Sequence, residues 1–466
     1  TPNYDGRQFF FFFPAGGPPA GGGGGAHLRP GEPDRSARTG GDVSRAWMYS
    51  AGWVQSLRVH ADLYVECVKV LLLESIHPVA AEAFRRAGFE VDVRSGSLGE
   101  DELVDALGGV ALLGIRSNTK VPPRVLEAGK DLVAVGCFCI GTNQVDLDDA
   151  AERGVAVFNA PFSNTRSVVE LVLGEILALA RRLPEKTQRM HEGVWDKSAR
   201  GSHEVRGRTL GIVGYGNIGT QLSNVAEAVG LRVIFYDTAD RLAHGNARRV
   251  GSLDELLAEA DVVSLHVDGR PGNAGLFGAD RFARMKPGAV FINASRGMVV
   301  DDAVLREHIL SGHLSGAAID VFPTEPKAQG DPFDSPLRGL DNVILTPHVG
   351  GSTQEAQEEI GHFVAGKLIG FVTTGGTALS VNLPQVAAPQ PAGAFRMGYL
   401  HRNEPGVLAG IGRLLAETGV NVVGQSLTTR GEQGYVVTDT DAVLTDAMLA
   451  DLIRSPQTVW LRSWTL

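Results

Sequence analysis

Three charged side chains stand directly behind three short apolar runs in the second half of the chain. Residues 290–293 lead into Ala294-Ser295-Arg296-Gly297, residues 316–321 into Phe322-Pro323-Thr324-Glu325, and residues 343–346 into Pro347-His348. An imidazole is the side chain best suited to take a proton near neutral pH. A carboxylate on its second nitrogen fixes the tautomer and stabilises the imidazolium, and a guanidinium clamps a carboxylate through two parallel hydrogen bonds. His348, Glu325 and Arg296 therefore read as base, orienting carboxylate and anion clamp. Together they suit removal of a hydroxyl proton from a small acid.

Upstream, Leu210-Gly211-Ile212-Val213 runs into Gly214-Tyr215-Gly216-Asn217-Ile218-Gly219, and then into a helical pattern over residues 220–229. In a strand-loop-helix context these glycines make a dinucleotide site. Gly214 permits the tight turn, Gly216 lets the backbone approach a pyrophosphate, and Gly219 lets helix and strand pack closely, with the helix N-terminus receiving the phosphate charge. The next strand, residues 231–236, ends in Asp237, about 20 residues beyond the glycines, where a carboxylate binds the adenosine ribose hydroxyls and repels a 2′-phosphate. The expected cofactor is NAD. With it, loss of the hydroxyl proton becomes hydride transfer from C2 of a 2-hydroxy acid, and no metal is called for.

The elements that position these groups follow an α/β pattern. A strand over residues 68–73 opens an alternation of strands and helices, with helix 78–87 and strand 109–114, that reaches Asn159-Ala160-Pro161. A helix-compatible run over 167–182 leads into the glycine-loop segment, whose alternation continues to His348. A helix over 353–370 carries the chain back, and a Pro-rich linker spans 384–391. The expected architecture is a Rossmann-type doubly wound domain, 164–350, inserted in a flavodoxin-like substrate domain, 66–163 with 351–388. In that second domain Arg116 and Ser117 follow a strand and face the cleft as phosphate ligands, with Asn164 a further donor. The last segment, 393–466, reads βαββαβ, a ferredoxin-like sandwich.

Composition sets the outer limits. A chain of 466 residues, 43% hydrophobic and 21% charged, buries more than one core. The net charge of -10 and a pI near 5.7 exclude a nucleic-acid or anionic-membrane surface, both of which need dense Lys/Arg patches. Cys67, Cys137 and Cys139 are too few for a disulfide framework and read as core packing. The longest apolar stretches, such as 168–180, fall short of the roughly 18 residues that span a bilayer. A cytoplasmic protein is expected. Residues 1–65, with five consecutive Phe and a Gly/Pro/Ala tract, support no packed fold and read as a disordered extension or a gene-start artefact.

From about residue 68 onward the chain resembles the D-isomer-specific 2-hydroxyacid dehydrogenases, and within them the bacterial D-3-phosphoglycerate dehydrogenases that start serine biosynthesis. The resemblance rests on the run from Gly136-Cys137-Phe138-Cys139 to Asp146, the loop from Asn159 to Thr165, Gly214 to Gly219, Asn293 to Gly297, Ala317 to Pro326, and Thr346 to Gln357. It implies Arg296, Glu325 and His348 as the catalytic set, and Asp320 as a carboxylate near the nicotinamide amide. Trp195 and Lys197 match a segment that reaches a neighbouring subunit's active site, and a homotetramer is implied. The C-terminal sandwich resembles an ACT domain, and His401, Asn403 and Asn421 match positions that contact L-serine in feedback-inhibited relatives.

The implied activity is oxidation of 3-phosphoglycerate with NAD, with a side activity on 2-oxoglutarate. Another D-2-hydroxy acid, or an NAD-sensing co-repressor-like binding role, are the alternatives. Asn118 departs from the family pattern, standing where relatives place a second basic residue, and Asp268-Gly269 stands where a Pro is usual.

Overall fold

The computed structural model describes residues 68–326, 330–388 and 390–466, together with the backbone of residues 59 and 60. Cys67 and, apart from that backbone pair, the expectation for residues 1–65 lie outside the described residues. Val59–His60 forms a short strand pairing in parallel with Thr458–Thr465.

Two parallel sheets and one antiparallel sheet organise the molecule. The first parallel sheet runs Glu90–Val93, Lys69–Leu72, Leu112–Ile115, Ala134–Cys137, Ala156–Asn159, a flavodoxin-like order. The second runs Val343–Leu345, Leu314–Ile319, Ala289–Asn293, Val262–Leu265, Thr209–Val213, Arg232–Tyr236, Arg248–Arg249, the Rossmann order with one extra edge strand. Central strands such as TLGIV and AVFIN are buried at every position because helices cover both faces. That is why they read as continuous apolar runs.

Two helices carry the chain between the sheets. Thr165–Ala180 leaves the first sheet and packs on the second, and Gln354–Thr374 returns to pack on helix Pro78–Arg86 and the first sheet. Their beginnings touch: Ser167 Oγ lies 2.8 Å from Thr353 Oγ1, the hydroxyl that caps the returning helix. The run expected as one helix over 167–182 ends earlier. Arg182 adopts a left-handed backbone, φ 52°, and a separate helix, Leu183–His191, follows with Pro in its first turn. The strand expected over 109–114 begins only at Leu112, because Gly109 turns at φ 72°.

The C-terminal segment forms βαββαβ as expected, in the order Thr458–Thr465, Phe395–Arg402, Gln433–Thr440, Val422–Arg430, with antiparallel pairing. Along its second strand, Phe395, Met397 and Tyr399 face the helices, while Leu400 joins a core shared with Phe371 of the returning helix. The sheet is therefore covered on both faces. Arg396, fully buried, pairs with Asp439 at 2.6 and 2.7 Å and donates to Thr374 O. Arg462 lies over the rings of Phe371 and Trp460, 4.9 Å from each. The Pro-rich stretch is no free spacer: Val386 is buried in the shared core and Pro384 O accepts from Thr377 Oγ1. Among the described residues, no helix is long and apolar enough to cross a membrane.

Candidate active site

The glycine-rich loop has the shape that a bound pyrophosphate needs. Gly214 turns at φ 93°, and a Cβ there would strike the carbonyl of His266; a Cβ at Gly219 would strike Gly214 O. At Gly216 a Cβ would meet nothing within 4 Å, so the loop is open where a ligand approaches. Gly216 is the N-cap of helix Asn217–Ala228, whose first N–H groups, those of Asn217, Ile218 and Gly219, lack partners within the helix. Asp237 stands behind this loop, accepting from Tyr215 N and Ala239 N, each at 2.8 Å. Its carboxylate is thus held in place at the end of Arg232–Tyr236, where the ribose of NAD would lie. The glycines, the helix start and this carboxylate fit that cofactor.

His348, Glu325 and Arg296 converge beyond the neighbouring strand ends. His348 Nδ1 lies 2.9 Å from Glu325 Oε2 and 3.1 Å from Oε1, which also accepts from Phe322 N. His348 itself has φ 54°, a conformation that a non-glycine residue adopts only when its surroundings enforce it. The enforcement comes from Asp320, 2% exposed, whose Oδ1 accepts from Thr346 Oγ1 and Val349 N and whose Oδ2 accepts from Gly350 N. Asp320, for which the resemblance implies a place near the nicotinamide amide, thus grips the loop both before and after His348.

The hydrogen bond to Glu325 raises the His348 pKa above its ordinary value. Burial works against it, and the charges of Glu325 and Asp320 add to it. For Glu325, burial opposes ionisation, but the hydrogen bond and charge of His348, the Phe322 N–H and Arg296 hold its pKa below the usual value. The pair is poised as an imidazole with a fixed tautomer.

Arg296 is fixed from behind. Gly297 passes so close to Phe322 and Pro323 that a Cβ there would overlap their backbone, which locks the arginine turn against the Glu325 loop. Arg296 donates to Ser295 O at 2.7 Å, and its side chain lines Gly269. The unusual Asp268-Gly269 therefore touches the anion clamp directly. Asp268 is itself tied to Arg270 and Asn273.

In the loop after Leu112–Ile115 of the first sheet, Arg116 is half-buried and Ser117 exposed. Burial raises the Cys139 thiol pKa, Glu74 adds to the rise, and both Arg116 and Arg296 oppose it. The charges of both arginines therefore reach the same thiol. Cys137 is fully buried and its thiol is pushed well up by burial, so both thiols are packing groups. Asn164 sits where the chain crosses between sheets, its Oδ1 buried without a partner and its amide against Gly351.

Two groups of chemical consequence were not singled out from the sequence. Glu74 is buried beside the Arg116 loop, and Glu175 lies in the crossover helix with neither carboxylate oxygen hydrogen-bonded. The grip of Asp320 on the histidine loop was likewise not foreseen. None of these has a local motif. Their partners lie on other strands and helices.

In the C-terminal sheet His401 is buried, its Nδ1 2.7 Å from Arg402 O and its Nε2 without a partner. Asn403 follows the end of Phe395–Arg402, whose last residue pairs with Gln433, whereas Asn421 precedes Val422–Arg430, whose first residue pairs with Thr440. These are opposite ends of the sheet, roughly 23 Å apart along a strand of this length. One copy cannot present both asparagines to one amino acid. Trp195, 77% exposed, and the exposed Lys197 follow helix Leu183–His191 on the surface.

Residues 173–350 match the family described as D-isomer specific 2-hydroxyacid dehydrogenase, NAD binding domain. The D-3-phosphoglycerate dehydrogenase of Escherichia coli (strain K12) is 52% identical over 376 residues, covering 80% of this chain and 92% of that protein. The protein of the same name from Dictyostelium discoideum is 46% identical over 375 residues, with the same coverage of both chains. Among solved structures, the TT0316 protein of Thermus thermophilus superposes with a TM-score of 0.60 at 33% identity, over 66% of this chain and 97% of that one. The D-lactate dehydrogenase of Aquifex aeolicus, solved with NAD and lactic acid, gives 0.57 at 27% identity, over 65% and 95%.

Proposed function

The chain belongs to the D-isomer-specific 2-hydroxyacid dehydrogenase family, and from that premise we infer that it is an NAD-dependent oxidoreductase converting 3-phospho-D-glycerate to 3-phosphohydroxypyruvate at the entry to serine biosynthesis. Residues 164–350 serve as the NAD-binding domain, 66–163 with 351–388 as the substrate domain, and 393–466 as an ACT domain.

Gly214, Gly216, Asn217, Ile218, Gly219 and Asp237 hold the cofactor, with Asp320 near its amide; once bound, the nicotinamide ring supplies the hydride acceptor. Arg296 holds the substrate carboxylate and polarises the C2 oxygen. His348 takes the C2 hydroxyl proton as C2 loses its hydride, and Glu325 stabilises the imidazolium that results. Arg116 and Ser117, with Asn164 beside the crossover, take the phosphate end. The observation that carries this reading is the 2.9 Å His348–Glu325 pair, with the charge of Arg296 helping to hold Glu325 ionised.

L-Serine acts as effector at a junction of two ACT domains, where His401 and Asn403 of one copy meet Asn421 of another. That arrangement, and the exposed Trp195 and Lys197 segment, suit a homotetramer in the cytoplasm. The test is NADH oxidation with 3-phosphohydroxypyruvate, 2-oxoglutarate and pyruvate, with and without L-serine, and with His348→Asn as control. Phosphohydroxypyruvate is expected to be turned over fastest and to be serine-inhibited. Equal turnover of pyruvate, or a fully active His348→Asn, would overturn the mechanism.

A further inference from the structure

Just beyond strand Lys69–Leu72, Glu74 and Ser75 both adopt left-handed backbone conformations, φ 61° and 50°. Two consecutive non-glycine residues in that region are costly and persist only where the surroundings demand them. Here the demand is visible. Glu74 N donates to Gly96 O at 3.0 Å and Ser75 Oγ to Ser95 O at 3.0 Å, which anchors the turn. The Glu74 side chain, 7% exposed, then reaches the loop after Leu112–Ile115. Its Oε1 accepts from Arg116 N at 3.2 Å and Thr119 N at 2.8 Å, and its Oε2 accepts from Asn118 N at 3.0 Å. From the other side Gln144 Nε2 donates to Arg116 O at 2.7 Å.

A run of backbone N–H groups converging on one point is an anion-binding concavity. In this loop the concavity is already filled, by a carboxylate of the chain itself. Phosphate cannot enter it, and like charge repels phosphate from that side. The donors in this pair that Glu74 leaves to an incoming phosphate are the Arg116 guanidinium and the Ser117 N–H and hydroxyl.

We propose that Glu74 is a positioning residue for substrate specificity: by occupying the inner face of the Arg116–Thr119 loop, it fixes the loop so that Arg116 and Ser117 present their donors outward to the substrate phosphate. Glu74 does not touch substrate. This rests on the reading of Arg116 and Ser117 as the phosphate ligands, and it adds what holds them. It also accounts for the strained turn, since an unstrained residue after Leu72 would not bring a carboxylate under a loop some forty residues away.

The experiment uses the full chain with Glu74→Gln and Glu74→Asp. Glu74→Gln replaces one acceptor oxygen by an amide that cannot accept from the loop; Glu74→Asp keeps the carboxylate but withdraws it. For both, KM for 3-phosphohydroxypyruvate is expected to rise about tenfold or more. Their kcat should stay within about twofold of the parent, because no group that contacts the reacting carbon has changed. NADH affinity, read by fluorescence titration, should be unchanged. The backbone amides of Arg116, Asn118 and Thr119 should exchange slowly in the parent and faster in Glu74→Gln.

An unchanged or lowered KM, a kcat loss matching the KM change, or a parallel loss of NADH binding would overturn the proposal. Where Glu74→Gln fails to fold, Glu74→Asp carries the same kinetic test. Amide exchange needs no turnover, so a parent inactive on phosphohydroxypyruvate would condemn the functional reading, while fast exchange of those amides in the parent would condemn the role of Glu74.

Discussion

His348 Nδ1 and Glu325 Oε2 are 2.9 Å apart although they follow different strands, Val343–Leu345 and Leu314–Ile319. The hydrogen bond to Glu325 raises the His348 pKa above the ordinary imidazole value. Oxidation needs the neutral imidazole, so kcat/KM for 3-phosphoglycerate rises with pH through this ionisation; reduction needs the imidazolium and falls through it. Glu325→Gln removes the charge that favours the imidazolium. The limb should move to lower pH in both directions and the plateau drop by about a hundredfold. Paired pH profiles of parent and variant check this, and a limb that stays in place refutes it.

Asp237 is held by two backbone donors and has two arginines near it, with Arg241 Nε 3.8 Å from Oδ2 and Arg249 NH2 3.4 Å from its carbonyl oxygen. Removing the carboxylate leaves those cations to meet a 2′-phosphate. Asp237→Ala should raise KM for NAD and shift the NADP to NAD ratio of kcat/KM toward NADP by at least about tenfold, or about 1.4 kcal/mol. Initial rates with both cofactors decide it.

Burial, aided by the nearby Asp320 charge, lifts the Glu175 carboxyl from 4.5 to about 8. The folded state therefore favours the protonated acid. The stability this confers is complete below the unfolded value of 4.5 and is lost as pH rises toward about 8. Glu175→Gln has no such titration, so its melting temperature relative to the parent should climb across that interval. The accumulated difference is at most about 5 kcal/mol. Thermal melts at several pH values measure it, and a gap that stays constant with pH would rule the buried acid out.

The candidate catalytic set was legible because strands packed on both faces announce themselves as apolar runs, and the candidate side chains stand directly behind them: Arg296 after Ala289–Asn293, His348 after Val343–Leu345. The glycine loop was legible for the same reason, being wedged between such a strand and a helix. Glu74 was not, since its partners lie 42 to 45 residues away and its own turn depends on Ser95 and Gly96. The end of the crossover run was legible to within two residues, but the separate helix Leu183–His191, entered through the left-handed Arg182, was not. The docking of the C-terminal sheet was hidden too. Alternation in Phe395–Arg402 marks one apolar face, but the other carries Arg396, Gly398 and Leu400, and nothing local says that it is buried or that Trp460 closes against Gly154.

Ser167 and Thr353, joined through their hydroxyls at 2.8 Å, pin the two covalent crossings side by side, and Asn164 wedges against Gly351 at the same place. Two pins on one line allow a leaf to swing about that line and resist shear or twist. His348 stands five residues before Thr353, and its loop is bonded to Asp320 and its ring to Glu325. Arg116 follows Leu112–Ile115, the middle strand of the first sheet. Any movement of one sheet against the other must therefore work through these two side-chain contacts, while His348 and Glu325 are held to each other beyond the strand ends of a single sheet.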